Sequence, residues 1–233
     1  MRRLVTWTAT AAAAYAAYAA VCPAARVWGP GFHRGPRTVR RIALTFDDGP
    51  SNETEHVLDL LAEHNARATF FVCGANVERR PETARLAAAL GHEIGNHTHT
   101  HRCLLRLGPD AVYEEVSRAQ RAIEDYVGTR PRLFRPPYGV RSPWLPAALA
   151  AEGLLSVHWS VIGMDWKFPA DRIAARVLRW GAEPGAVICL HDGDRIAPMA
   201  DRRATTTALR TIVPELLDQG FELVTASELA VEG

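Results

Sequence analysis

The sequence predicts an α/β protein, a parallel sheet curled into a short barrel of seven β/α units, a reduced relative of the eightfold barrel. Three observations point there. Apolar runs of strand length alternate with amphipathic stretches of helical period from residue 41 onward. Strict alternation demands right-handed crossovers and therefore parallel strands. Several runs also end in Asp, His or Arg, at the carboxyl edge of the sheet where such folds carry their chemistry.

The elements follow in order. Between Arg3 and Arg26 lies LVTWTATAAAAYAAYAAVCPAA, uncharged, alanine-rich and long enough to span a bilayer. Arg2 and Arg3 favour an inside amino terminus, which places the rest of the chain across the membrane. Residues 1–27 therefore read as a membrane anchor or as a signal segment cut near Ala17-Tyr18-Ala19; an ordinary soluble helix is the third reading, since alanine adds little to insertion. The expected location is extracytoplasmic, membrane-anchored or secreted. Residues 28–40, rich in Gly, Pro and Arg, read as a linker, and 41–233 as the folded domain.

Within that domain Ile42 to Phe46 is a buried strand ended by the turn formers Gly49 and Pro50. Glu53 to Asn65 is a helix with Val57, Leu58, Leu60 and Leu61 on one stripe. ATFFVC is the second strand, Pro81 to Leu90 a helix with an early proline and Gly91 beyond its end, and HEIGNH the third strand. A long amphipathic helix, Pro109 to Val127, stops at Gly128, and RLFRPPYG is a strand running into a rigid turn. Pro143 to Glu152, Ala170 to Trp180 and Arg203 to Gln219 are helices interleaved with the strands LLSVHWSV, GAVICLHDG and FELVT.

Length and composition, 233 residues with 48% hydrophobic content, suit one domain of ordinary size. The formal net charge is +1 and no basic stripe occurs, so nucleic acid is not an expected partner. Cys22, Cys73, Cys103 and Cys189 form no C-x-x-C pair; Cys73 and Cys189 sit in apolar runs and read as small buried hydrophobes.

Asp47 and Asp48 raise the chemical question. Adjacent carboxylates repel, so a pair at a strand end is either a solvated turn or serves something positive. GNHTHTH supplies His97, His99 and His101 just after the third strand. On a helical turn His97 and His101 share a face and His99 points away. Two imidazoles and one carboxylate leave a coordination position open for water, the pattern of catalytic rather than structural zinc.

TFDDGP, HTHTH, RPPYG, DW and LHDG occur in the order found in the polysaccharide deacetylases, and from Arg41 to about Ala230 the chain resembles that NodB-homology family, carbohydrate esterase family four. The resemblance implies a distorted (β/α)7-type barrel and metal-dependent removal of acetyl from N-acetylated sugars of a polysaccharide, whether peptidoglycan, a chitin-like oligomer or an exopolysaccharide. It implies Asp47 as general base, paired with Arg135, and a divalent ion on Asp48, His97 and His101, zinc first, with cobalt or nickel as substitutes. His191 becomes the general acid, oriented by Asp165; Tyr138 offers a backbone N–H to the oxyanion; Trp166 and Leu190 line the pocket for the acetyl methyl. The fourth motif departs from the family pattern, since Ile162 stands where an earlier aspartate is common. Two other readings stay open: the same barrel acting on another acyl amide or on acetyl esters of xylan, and a non-catalytic glycan-binding barrel. Loss of Asp47, Asp48, His97, His101 or His191 would favour the last, and all five are present.

Overall fold

A computed structural model describes residues 14–197 and 199–230 of the chain. Among them, nine strands join one curled sheet: β1 (Gly31–Phe32), β2 (Arg41–Asp47), β3 (Thr69–Val72), β4 (Glu93–Asn96), β5 (Leu133–Phe134), β6 (Leu155–Val157), β7 (Val161–Ile162), β8 (Val187–His191) and β9 (Glu222–Val224). Every strand ladder is parallel, in the order β1-β6-β5-β4-β3-β2-β8-β7, with β9 added to the start of β2. The sheet curls without an even closure, a distorted barrel.

Side-chain alternation along β2 shows how the barrel is built. Ile42, Leu44 and Phe46 join the large core shared with the surrounding helices, among them Val57, Leu58 and Leu61 of the helix Thr54–Glu63 and Ile212 and Leu216 of the helix Arg203–Asp218. Ala43 instead meets Phe71, Leu133, Val157, Val187 and Val224, all from other strands, in a smaller core inside the curl. Thr45 and Asp47 continue this inner face, where a short and polar lining leaves room for a guanidinium.

Two expectations need correction. LLSVHWSV is two strands rather than one, because its backbone changes partners: His158 N–H donates to Phe32 O at 2.8 Å, and Ser160 N–H to Val187 O at 3.0 Å. The 28–40 segment is not simply a linker, since β1 lies inside it and pairs Gly31 and Phe32 with Ser156 and Val157. A two-residue strand has no readable period, and Gly31 is there for proximity: a Cβ would lie 2.7 Å from the Ser156 carbonyl oxygen. The short helix Gly74–Arg79 was also not anticipated.

Of the expected 1–27 segment, residues 1–13 lie outside the described residues. Residues 14–21 are helical, with Ala19 and Ala20 buried against the domain. Among the described residues no helix is long and apolar enough to cross a membrane.

Candidate active site

The carboxyl ends of β2, β4, β5 and β8 surround a cavity of about 560 Å³. Asp47, Asp48, His97, His101, Tyr138, Trp166 and His191, all anticipated from the sequence, line it. Asp47 ends β2 on the inner face. Asp48 follows with φ +73°, a left-handed conformation unusual for a non-glycine residue. In a continuing strand the two carboxylates would point to opposite faces; this backbone turn brings both to the cavity. Gly49 then passes so close to the Asp192 carboxylate that a side chain there would collide with it.

The two aspartates meet different surroundings. Asp47 Oδ1 accepts from Arg135 Nη1 at 2.6 Å, and its Oδ2 lies 3.5 Å from the Cys189 thiol, which donates to it. Arg135 is fully buried and uses all three guanidinium nitrogens, donating also to Thr45 Oγ1, Val157 O and His158 O, with its guanidinium 4.1 Å from the Phe71 ring centroid. A buried arginine needs such saturation to be tolerated.

Asp48 Oδ1 instead is buried without a hydrogen-bond partner, 3.0 Å from His101 Nε2 and 3.5 Å from His97 Nε2. Burial acts to raise the Asp48 pKa, but His101 and His97 hold it well below the usual carboxylate range. His97 Nδ1 lies 2.7 Å from Arg135 O; a carbonyl only accepts, so Nδ1 donates there and Nε2 is the nitrogen turned toward Asp48 and the cavity. A buried, unpartnered carboxylate oxygen beside two imidazole nitrogens fits a divalent cation. Asp47, Cys189 and His191 form a second close set, but both Asp47 oxygens are already engaged.

The two histidines do not sit on a helical turn as anticipated. Residues 97–101 form an irregular loop in which Thr98 (φ +66°) and His101 (φ +55°) reverse the backbone, bringing the rings to 5.0 Å between centroids. His99 is buried and directed elsewhere, its Nε2 3.9 Å from Glu78.

On the adjacent strand, His191 ends β8 in register with Asp47. Its Nδ1 bonds Asp165 Oδ1 at 2.8 Å, and Asp165 Oδ2 accepts from the His191 backbone N–H and from Thr205 Oγ1. Burial opposes the charge on His191, yet Asp165, then Asp47 and Asp48, raise its pKa to about 9. Burial likewise works to raise the Asp165 pKa, but His191 and these hydrogen bonds lower it. The Trp166 ring stands edge-on to His191, and the Tyr138 ring edge-on to His101. Tyr138 has φ +60° in the short turn Pro137–Gly139.

Leu190 departs from expectation: it is 0% exposed and packs in the helix-side core, because its neighbour His191 takes the opposite face of β8. Ile162 and Trp159 line the cavity instead, with Asp194, Arg195 and Arg202 at the rim. The rim residues went unread because no motif marks the loop after β8, and Cys189 because burial alone says nothing of a carboxylate beside it.

Known proteins share this fold and much of this sequence. Residues 34–155, just over half the chain, match the family model described as polysaccharide deacetylase. The chain is 44% identical over 193 residues to a chitooligosaccharide deacetylase of Bradyrhizobium sp. (strain ANU 289), covering 79% of this chain and 88% of that protein. It is 37% identical over 194 residues to the peptidoglycan-N-acetylglucosamine deacetylase PgdA of Listeria monocytogenes, covering 83% of this chain but only 39% of that longer protein. Among solved structures, the Bc1960 peptidoglycan N-acetylglucosamine deacetylase superposes with a TM-score of 0.79 at 34% identity, over 85% of this chain and 91% of that one. With the motif residues gathered in one cavity and these relatives aligned along most of its length, the chain belongs to the polysaccharide deacetylase family of hydrolases.

Proposed function

We propose that this chain removes acetyl groups from N-acetylated sugars of a polysaccharide or its oligomers in a metal-dependent hydrolysis. One observation carries the reading: a single cavity holds an arginine-paired aspartate, a cation-fitting Asp/His/His set and an aspartate-paired histidine. A divalent ion on Asp48, His97 and His101, zinc first because imidazole and carboxylate suit it, would polarise the acetyl carbonyl and activate water.

The chain's own groups supply the rest. Arg135 aims the Asp47 carboxylate through a 2.6 Å hydrogen bond, so that it takes the proton of the attacking water. Negative charge developing on the carbonyl oxygen calls for a fixed donor, and the Tyr138 backbone N–H, in the turn stiffened by Pro136 and Pro137, is assigned that role. An amine leaves poorly until protonated; His191, held as the imidazolium by Asp165, donates that proton. Ile162, Trp159 and Trp166 form the apolar wall for the acetyl methyl.

Relatives named for peptidoglycan and for chitooligosaccharides both align along most of the chain, so the substrate class is N-acetylglucosamine polymers. The uncharged run behind Arg2 and Arg3 supports an extracytoplasmic site of action, reached by an anchor or a secretion signal. Acetate release measured over a panel of acetylated polymers tests the proposal: release from N-acetylglucosamine polymers supports it, and release from acetylated xylan alone, or from none, refutes it.

A further inference from the structure

The loop from Pro136 to Arg141 carries Tyr138 and is fixed at both ends. At one end Arg135 N–H donates to Asn96 O at 2.9 Å, beside the fully buried Arg135 guanidinium. At the other end stands Arg141, 3% exposed and outside every motif. Its backbone N–H donates to Ala20 O at 2.9 Å, while its guanidinium donates to Ala25 O through Nη1 and to Cys22 O through Nη2. Arg141 Nε is buried without a partner, so these carbonyls are the hydrogen-bond anchors of the group.

The carbonyls belong to the end of the 14–21 helix and the turn after it, where backbone oxygens lack helical partners and the helix dipole favours a cation. Ala19, Ala20 and Ala25 are buried at the same seam. The segment continues into β1, whose Phe32 O accepts from His158 N–H, and His158 O in turn accepts from Arg135. Residues 20–25 thus bond the Arg141 end of the Tyr138 loop directly, and β1 reaches its other end through His158 and Arg135.

We propose that Arg141 is a positioning residue for the reaction: by clamping residues 20–25 to the Tyr138 loop it fixes the direction of the Tyr138 backbone N–H, and it makes the amino-terminal segment part of the active-site framework. The inference rests on the proposed role of Tyr138. It predicts a defect in turnover rather than in binding, because Arg141 itself bonds to Ala20, Cys22 and Ala25 and does not line the cavity.

The test compares Arg141→Ala, Arg141→Lys and Ala19→Glu in the full chain. Ala19→Glu wedges a charge into the seam and leaves Arg141 intact. In Arg141→Ala and Ala19→Glu, kcat on an N-acetylglucosamine oligomer is expected to fall about 10- to 100-fold while KM stays within about twofold. Metal content should be unchanged, and amide hydrogen exchange should rise together in residues 19–25 and 138–141. Arg141→Lys, which keeps a charge and one donor group, should recover part of kcat. Loosening of residues 19–25 with unchanged kcat overturns the proposal, as does a fall in kcat accompanied by metal loss or by exchange spreading into β2 and β8. If the unaltered protein releases no acetate from any polymer, the proposed function fails instead; the paired exchange readout then decides the clamp by itself.

Discussion

The floor and the rim of the cavity are built on different principles. On the floor, Asp47, Arg135, Asp165 and His191 sit at or just beyond strand ends, are largely buried, and each has a charged partner. At the rim, Trp166 and Tyr138 are 50% and 57% exposed, and Arg195 pairs with the solvent-facing Asp194. Floor groups are fixed by the sheet and by one another; rim groups are held by loops. Substitution should therefore separate the two regions by kind of effect as well as by size.

The largest effect belongs to the cation set. Asp48→Ala and His97→Ala should each empty the site and abolish turnover; metal analysis showing undiminished occupancy would contradict the assignment. Asp47→Asn comes next. Asparagine keeps the shape but cannot take a proton, so kcat should drop about 10²- to 10⁴-fold with metal retained. If Asp47→Asn emptied the site while Asp48→Asn stayed active, the two neighbours would exchange roles.

His191→Ala should spare the metal and slow amides more than acetyl esters with good leaving groups, which depart without protonation. The pH profile supplies the sign. With its pKa raised to about 9, His191 is charged below that value and loses its proton as pH rises through it, so the high-pH limb of the rate should lie near 9 and vanish in the variant. The same raised pKa favours the folded state most fully below the ordinary histidine value of about 6.5, and that contribution fades as pH climbs through 9. The smallest effects belong to the rim: Arg195→Ala and Trp166→Ala should raise KM by less than about tenfold, in keeping with the modest worth of exposed contacts. A rim variant that cost as much as Asp47→Asn would erase the distinction.

The same division governs what the sequence disclosed. Strand-end residues were legible because short apolar runs bounded by turn formers announce β2, β3 and β8. Side-chain direction was less so. Leu190 faces the helices because alternation along β8 is strict, whereas Asp48 reaches the cavity because alternation fails there, and neither outcome is written in residue type. His97 and His101 converge through two left-handed residues that no helical period encodes. Gly31 and Phe32 escaped because pairing with β6 is a long-range event, invisible in a local window rich in Gly and Pro.

Asp47 and His191 are cross-strand neighbours on adjacent parallel strands. Strands in a sheet lie about 4.8 Å apart, so the spacing of the two backbones that carry the proton acceptor and the proton donor is set by the sheet and not by the loops above it. The loop after β8 can then be exchanged, as in a tool whose jaws are replaced while the hinge stays. A chimaera bearing a relative's loop in place of residues 194–202 should take up that relative's preference among polymers without retuning the pair beneath.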